Sequence, residues 1–323
     1  MSTGDPDDTV GPDPGGLATV VPIRAAEEDV SSGDGTASRW RSGGSRGRQL
    51  AWGVMLLLIA VLALVVTEPS WFTSKGPVEL TGPPLQGPAG NHWFGTDQLG
   101  RDIFSRTVWG ARPIILASLS GICIAAIGGV TLGVLGGVVP PFLSGLIMRS
   151  IDIILALPAL LIALMVVAIV GTGTTSVVVA VGFAYAPAFA RVIYSSVRRL
   201  RTADYIAAAR SFGGSSSHNV FRHLLPNLAN EIAVLISSAI GWAILTAGTL
   251  SFLGFGVSLP KPDWGVDLSS GGQYLDTAWW ISFFPGLAIT ATILISNYMG
   301  DLVSDSLDPH RAIKSPRTSA LLH

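Results

Sequence analysis

Six apolar stretches alternate with polar segments along the chain. A helix that spans the hydrocarbon core of a bilayer needs about 17–25 predominantly apolar residues. The fourth stretch is short, and we expect its helix to begin nearer Gly173. The pattern predicts an all-α polytopic membrane protein with six transmembrane helices, at approximately Leu50–Val66, Ile114–Val139, Ile153–Val170, Val177–Ala190, Ala233–Phe252 and Trp279–Tyr298.

The distribution of Lys and Arg predicts that both termini are cytosolic, because cytosolic connections carry an excess of basic residues. With the N-terminus inside, fifteen of the twenty basic residues lie on the cytosolic side. The first apolar stretch follows about fifty mostly polar residues, so we expect it to remain as a helix and not to be cleaved as a signal peptide.

Four regions follow from these patterns. Residues 1–47 are rich in Gly, Asp, Ser and Pro, which predicts a disordered cytosolic tail. Residues 48–111 hold the first transmembrane helix and an extracytoplasmic segment, 112–303 the main transmembrane domain, and 304–323 a cytosolic tail. The arginines beside the first helix are interpreted as topology anchors, with binding to membrane lipids as the alternative.

The pattern of residues in the extracytoplasmic segment predicts a short helix at the outer surface. Thr96 would be the N-cap of this helix, and the apolar residues that follow would form a stripe along it. Asp97, Arg101 and Asp102 superficially resemble a catalytic cluster. A structural role is favoured, because Asp97 and Arg101 are four positions apart and can pair on a helix.

Two further features concern helix contacts and loops. Gly129, Gly133 and Gly137 form two overlapping GxxxG steps, which predict close helix contact within the chain or with a partner. The connection after the fifth stretch contains Pro262 and Trp264. We interpret the proline as stiffening the loop and the tryptophan as part of the interfacial aromatic belt.

The composition excludes several function classes. Only 13% of residues are charged and the net charge is −1, so a nucleic-acid partner is not indicated. The single cysteine, Cys123, lies in an apolar run and is interpreted as a small buried hydrophobe. No metal-ligand spacing and no phosphate-binding P-loop occur, so we expect no metal and no bound nucleotide in this chain.

The last five spans contain no Asp, Glu, Lys, Arg or His in their interiors, and no nucleophile–base pair stands out. We therefore expect no catalytic residue, and the chain is interpreted as a pathway without its own source of energy. It is then either a stand-alone channel or a pathway that another chain drives. A membrane enzyme is a further alternative. The enzyme would need polar catalytic groups at membrane depth.

The polar segment from Asp204 to Asn227 separates the fourth and fifth apolar stretches. It has an alanine-rich helical start, a Gly-Gly break and a second short helical pattern that Pro226 is predicted to end. This pattern predicts a helix–turn–helix on the cytosolic face. The residues alone leave open a docking surface for a partner or an interfacial helix on lipid.

The spacing of Ala207-Ala208-Ala209, Gly213 and Leu225-Pro226 resembles the EAA motif of ABC importer permeases. Two positions depart, since Ala207 replaces the glutamate of the motif and His223 its aliphatic residue. The resemblance extends over residues 94–112, 250–265 and 300–311, which are similar to the C-type permeases of dipeptide, oligopeptide and nickel importers.

This resemblance implies the type I ABC importer permease fold and a bacterial cytoplasmic-membrane location. It implies a second homologous permease, two ATPase subunits or a fused one, which would bind ATP and Mg²⁺, and an extracytoplasmic solute-binding protein. Peptide is the expected substrate, with nickel chelates, glutathione or another small solute as alternatives. The outer face, with Asp97, Arg101, Asp102, Pro262 and Trp264, would lie on the side of the binding protein.

The implied ATPase-coupling loop covers residues 202–227. Because Ala207 lacks a charge, Asp204 or Arg210 would supply any polar contact with the ATPase. The implied coupling residues are Asp204, Tyr205, Ala207, Ala208, Ala209, Arg210, Gly213, Arg222, His223, Leu225 and Pro226.

Overall fold

The computed structural model describes residues 45–201, 222 and 224–307, and the secondary structure of these residues is helical apart from isolated bridges. The chain divides into two units, Met1–Ala51 and Trp52–His323, and the architecture below is that of the second. The helices are α1 (Ser45–Thr67), α2 (Ile103–Val138), α3 (Pro141–Leu155), α4 (Ala159–Val170), α5 (Thr174–Arg201), α6 (Leu225–Phe252), α7 (Trp264–Gly271), α8 (Leu275–Ala278) and α9 (Trp280–Leu307).

Five of these helices, α1, α2, α5, α6 and α9, are long and apolar enough to cross a membrane, and the pair α3 and α4 makes six if it counts as one span. The predicted continuous span Ile153–Val170 is wrong, because the chain bends by 95° between α3 and α4. Pro158 lies at the break, and a proline disfavours the helical conformation of the residue before it. At 1.5 Å per residue, α4 alone is about 18 Å long and shorter than a bilayer core.

The predicted surface helix capped by Thr96 is also wrong. Its residues divide between a buried loop and the first turns of α2, which starts at Ile103. Asp102 is the N-cap, since its Oδ2 accepts a hydrogen bond of 2.9 Å from the backbone N–H of Ser105. The Thr96 hydroxyl instead donates to the carbonyl of Pro83 at 2.6 Å.

Pro226 begins an element where it was predicted to end one. It lies in the first turn of α6, and the predicted fifth span Ala233–Phe252 extends back to Leu225. A proline is tolerated there because the first backbone N–H groups of a helix have no intrahelical acceptor.

The most extensive helix contact is between α2 and α5, where the GxxxG glycines of α2 face one side of α5. A Cβ atom added at Gly129 would lie 2.6 Å from the carbonyl oxygen of Ala186. One added at Gly133 would lie 2.6 Å from the carbonyl oxygen of Ala190, and one at Gly137 would lie 2.9 Å from the Cβ of Val197. The contact made by these glycines is therefore within the chain.

The main apolar core lies between α2, α4, α5 and α6, and residues such as Ala125, Val181 and Leu250 are fully buried in it. Cys123 lies on the other side of α2 and is exposed, so its interpretation as a buried hydrophobe is wrong. An apolar run longer than a helical turn does not show which side of the helix faces the core, because a membrane helix is apolar all round.

Candidate functional site

One end of the membrane domain, named the outer face after the side predicted from the sequence, has a cluster of buried charges formed by the loop before α2 and the segment around α7. Asp97 and Arg101 pair within it, with 2.5 Å between Arg101 Nε and Asp97 Oδ2. They lie on a turn and not on a helix, since Asp97 Oδ1 also accepts from the backbone N–H groups of Leu99 at 2.8 Å and Arg101 at 2.9 Å. The ion pair therefore joins two residues of the same loop and stabilises its turn.

Asp102 has partners of its own in this cluster. Its Oδ1 lies 2.7 Å from His92 Nδ1 and 3.4 Å from Lys75 Nζ, while its other oxygen caps α2. His92 and Asp102 are 3% and 2% exposed, so the contact is shielded from water. Asp102 thereby ties two stretches of the loop to the start of α2.

Arg106 and Asp267 form a contact between distant parts of the chain at the outer face. Arg106 donates from Nε to Asp267 Oδ1 at 3.0 Å and pairs with it again through Nη2. Its Nη1 donates to the carbonyls of Pro77 at 3.0 Å and Pro260 at 3.2 Å. Burial raises the pKa of the Asp267 carboxyl, and the charge of Arg106 opposes that rise. Since the pair is 161 positions apart, no local pattern reveals it.

Asp263 and Trp264 fix the start of α7. Asp263 Oδ1 accepts from the backbone N–H of Gly265 at 2.9 Å, and burial raises the pKa of this carboxyl to about 6. The Trp264 indole N–H donates to the carbonyl of Thr107 at 2.6 Å and the residue is 3% exposed, so it is not part of an interfacial belt. Pro262 is half-buried beside them.

The chemistry of this outer cluster is structural. Its carboxylates are occupied by ion pairs or helix caps, which hold the loops against α2 and α7. Among the described residues no group of three His, Cys, Asp or Glu side chains could hold a metal ion. These contacts favour a structural role for the cluster.

Most of the predicted coupling residues lie outside the described part of the chain. Of those that are described, Arg222 and Pro226 are exposed, whereas Leu225 is half-buried. The residues outside the description are Asp204, Tyr205, Ala207, Ala208, Ala209, Arg210, Gly213 and His223.

The residues on either side of this segment, at the end of α5 and the start of α6, lie close together beside the end of α2. Arg201, the last residue of α5, donates to the carbonyl oxygen of Gly137 at the end of α2. Glu231 of α6 accepts from the Ser196 hydroxyl at 2.5 Å, and Arg199 Nη2 lies 3.6 Å from the same carboxylate. Glu231 lies just before the predicted fifth span, and no local pattern in the sequence indicates its partner.

An apolar cluster fills the space between the same helix ends. Leu224 and Leu228 are 3% and 0% exposed and pack against Ile193 and Val197 of α5. Val130, Val134 and Val138 of α2 complete the cluster. The ends of α2, α5 and α6 are thus packed together where the chain leaves the described residues.

The fold defines a class of protein, namely a multi-span helical membrane protein. The family model of the binding-protein-dependent transport system inner membrane component matches residues 129–312, more than half of the chain. The chain belongs to this family.

Curated relatives and a solved structure agree with that assignment. The glutathione transport system permease protein GsiD of Pectobacterium atrosepticum is 42% identical over 69% of this chain and 74% of its own length. The dipeptide transport system permease protein DppC of Alkalihalophilus pseudofirmus is 39% identical, with 78% and 82% covered. The di/tripeptide transport system permease protein DppC of Pseudomonas aeruginosa is 38% identical, with 80% and 88% covered.

The fold resembles a chain of the MetNI methionine ABC transporter in an inward-facing conformation. The TM-score is 0.51 at 17% identity, with 64% of this chain and 96% of that chain covered. At this identity the likeness concerns the fold alone.

Proposed function

We propose that the chain is a permease subunit of an ATP-driven, binding-protein-dependent importer and forms half of the pathway for di- and oligopeptides. The observation that carries this proposal is the family match over residues 129–312, together with relatives whose names specify peptide transport. The absence of Asp, Glu, Lys, Arg and His from the interiors of the last five predicted spans supports an external source of energy.

The proposed assembly contains a second homologous permease, two ATPase subunits or a fused one, and an extracytoplasmic solute-binding protein in a bacterial cytoplasmic membrane. ATP and Mg²⁺ would bind to the ATPase chains. Both termini and residues 202–227 would face the cytosol, and the buried outer cluster would support the surface on which the binding protein docks. Movement of the ATPases would reach the helices through that cytosolic segment, as alternating access requires.

Glutathione is the second candidate substrate, because one relative at 42% identity is a glutathione permease protein. Glutathione is itself a small peptide, so both candidates need a pathway that accepts amide groups. In this class the selection of substrate would rest largely on the binding protein. Isolating the cognate binding protein and identifying the ligand that copurifies with it distinguishes the two.

The function is tested with the complete transporter in proteoliposomes. We expect uptake of a labelled di- or tripeptide that requires ATP and the binding protein. Replacing Gly213 with valine should separate ATP hydrolysis from uptake while leaving membrane insertion intact, since a β-branched residue disfavours the left-handed turn predicted there. Purification of the chain as an active channel without ATPase chains would refute the proposal.

A further inference from the structure

The cytosolic segment proposed to couple ATP hydrolysis to transport is attached to the bundle at two described points. The chain leaves the described residues at Arg201, the last residue of α5, and resumes at Leu224, which immediately precedes α6. Any force on the residues between them is therefore delivered to these two helix ends. How the ends are joined decides whether they move separately or together.

The first point of attachment is joined to α2 by a charge. The Arg201 guanidinium donates to the carbonyl oxygen of Gly137 and lies 3.4 Å from that of Val138. The last carbonyls of a helix lack intrahelical donors and carry the negative end of the helix dipole. A cation placed there fixes the end of α5 to the end of α2.

The second point of attachment is joined to α5 by Glu231, the only charged residue of α6. Its Oε1 accepts from the buried Ser196 hydroxyl at 2.5 Å, and its Oε2 lies 3.6 Å from Arg199 Nη2. A carboxylate on an otherwise apolar membrane helix is costly and persists where a specific partner or role offsets that cost. Apolar contacts, such as those of Leu228 and Val197 nearby, would be enough to hold the two helices together. They have no preferred direction, so they would not fix the register of α6 against α5 as the hydrogen bond and ion pair of Glu231 do.

We propose that Glu231 is a positioning residue for energy coupling. It holds the first turns of α6 in a fixed relation to the last turns of α5, so that a movement of the segment between them shifts the inner ends of α2, α5 and α6 as one body. Without the carboxylate, α6 slips against α5 and part of the ATPase movement is lost before it reaches the pathway. This role rests on the proposed function.

The test uses the complete transporter in proteoliposomes and measures peptide imported per ATP hydrolysed. The variant Glu231→Gln keeps the shape of the side chain and removes its charge. We expect the ratio to fall about threefold to tenfold, which lies within the range expected for mutations that alter coupling between sites, while ATP hydrolysis and the amount of assembled complex stay near those of the parent. Ser196→Ala should change the ratio in the same direction by a smaller factor.

A matched control is Asp152→Asn, which removes the half-exposed ion pair of Asp152 with Arg191, 3.4 Å apart between α3 and α5. It should leave the ratio unchanged. An unchanged ratio in Glu231→Gln, or a parallel loss of uptake and ATP hydrolysis, would overturn the proposed role. If Glu231→Gln fails to assemble, an unchanged ratio in Ser196→Ala overturns it. Failure of the parent transporter to take up peptide with ATP contradicts the proposed function itself.

Discussion

The two ends of the helical bundle, predicted to face outside and inside, are held together by different physical means. At the outer end, ion pairs such as Arg106–Asp267 are almost fully buried and are joined by helix caps and backbone hydrogen bonds. At the inner end, contact depends on glycine-to-helix packing and on half-exposed pairs such as Arg199–Glu231. Buried charges resist movement because separating them exposes an uncompensated charge, whereas apolar surfaces slide at smaller cost.

This difference agrees with the separate roles that the proposed function gives to the two ends of the bundle. A docking surface has to keep one shape, and the outer cluster fixes its loops through contacts far apart in sequence. The inner end has to transmit movement, and its helices meet through small side chains with a few directional ties. The comparison therefore predicts that single substitutions destabilise the outer end more than the inner end.

The largest effect is expected from Arg106→Met at the outer end. The variant leaves Asp267 as an unpaired buried carboxylate, and we expect the free energy of unfolding to fall by about 3–5 kcal/mol. Urea unfolding of the purified chain in detergent measures the change. The double variant Arg106→Met/Asp267→Leu should recover most of the loss, because it removes both charges. A single variant as stable as the parent would contradict the assigned role of this ion pair.

The second effect concerns the pH dependence contributed by Asp263. Burial raises the pKa of this carboxyl from 3.8 to about 6, so the folded chain holds the proton more tightly than the unfolded chain. Its contribution to stability is complete below pH 3.8 and is lost as the pH rises through about 6. We expect the free energy of unfolding to fall by up to about 3 kcal/mol over that window.

The variant Asp263→Asn isolates this contribution, since the amide oxygen can still accept from the backbone N–H of Gly265. Parallel unfolding curves of parent and variant between pH 4 and pH 7 give the comparison. The parent should lose stability with rising pH more steeply than the variant. Equal slopes would show that Asp263 does not titrate in this range.

The third effect tests the α2–α5 contact with two neighbouring glycines. Gly129→Ala places a methyl group 2.6 Å from the carbonyl oxygen of Ala186, and we expect a loss of about 1–3 kcal/mol from overpacking. In Gly128→Ala the nearest heavy atom is 4.0 Å away, so this control should be neutral or slightly stabilising. Thermal unfolding in detergent compares the two. Similar shifts in both variants would mean that the helices are less closely packed than described.

The smallest effect is expected from Arg191→Met, which removes a pair whose side chains are 50% and 48% exposed. Such pairs contribute about 0–1 kcal/mol, because water screens them. The unfolding midpoint should therefore stay close to that of the parent. A loss as large as that of Arg106→Met would remove the distinction between the two ends of the bundle.

The sequence by itself determined the helical class, the positions of five spans and the permease motif. These are local properties, because a span requires only enough apolar residues in succession and the motif only a fixed spacing. Family membership followed from the same local patterns and was confirmed by the match over residues 129–312. The wrong predictions at Thr96, Cys123 and Trp264 each concerned which neighbour a residue meets, whereas the one at Pro226 concerned where a helix begins.

Only the tertiary structure decided those neighbours. The bend between α3 and α4, the cap at Asp102 and the pairs Arg106–Asp267 and Ser196–Glu231 depend on segments that folding brings together. In an apolar helix the residues that face lipid and those that face the core are chemically alike, so hydrophobicity does not separate them. The tertiary structure determines which side of a helix faces the core. Glycines allow a neighbouring helix to approach closely, and each buried charge needs one particular partner.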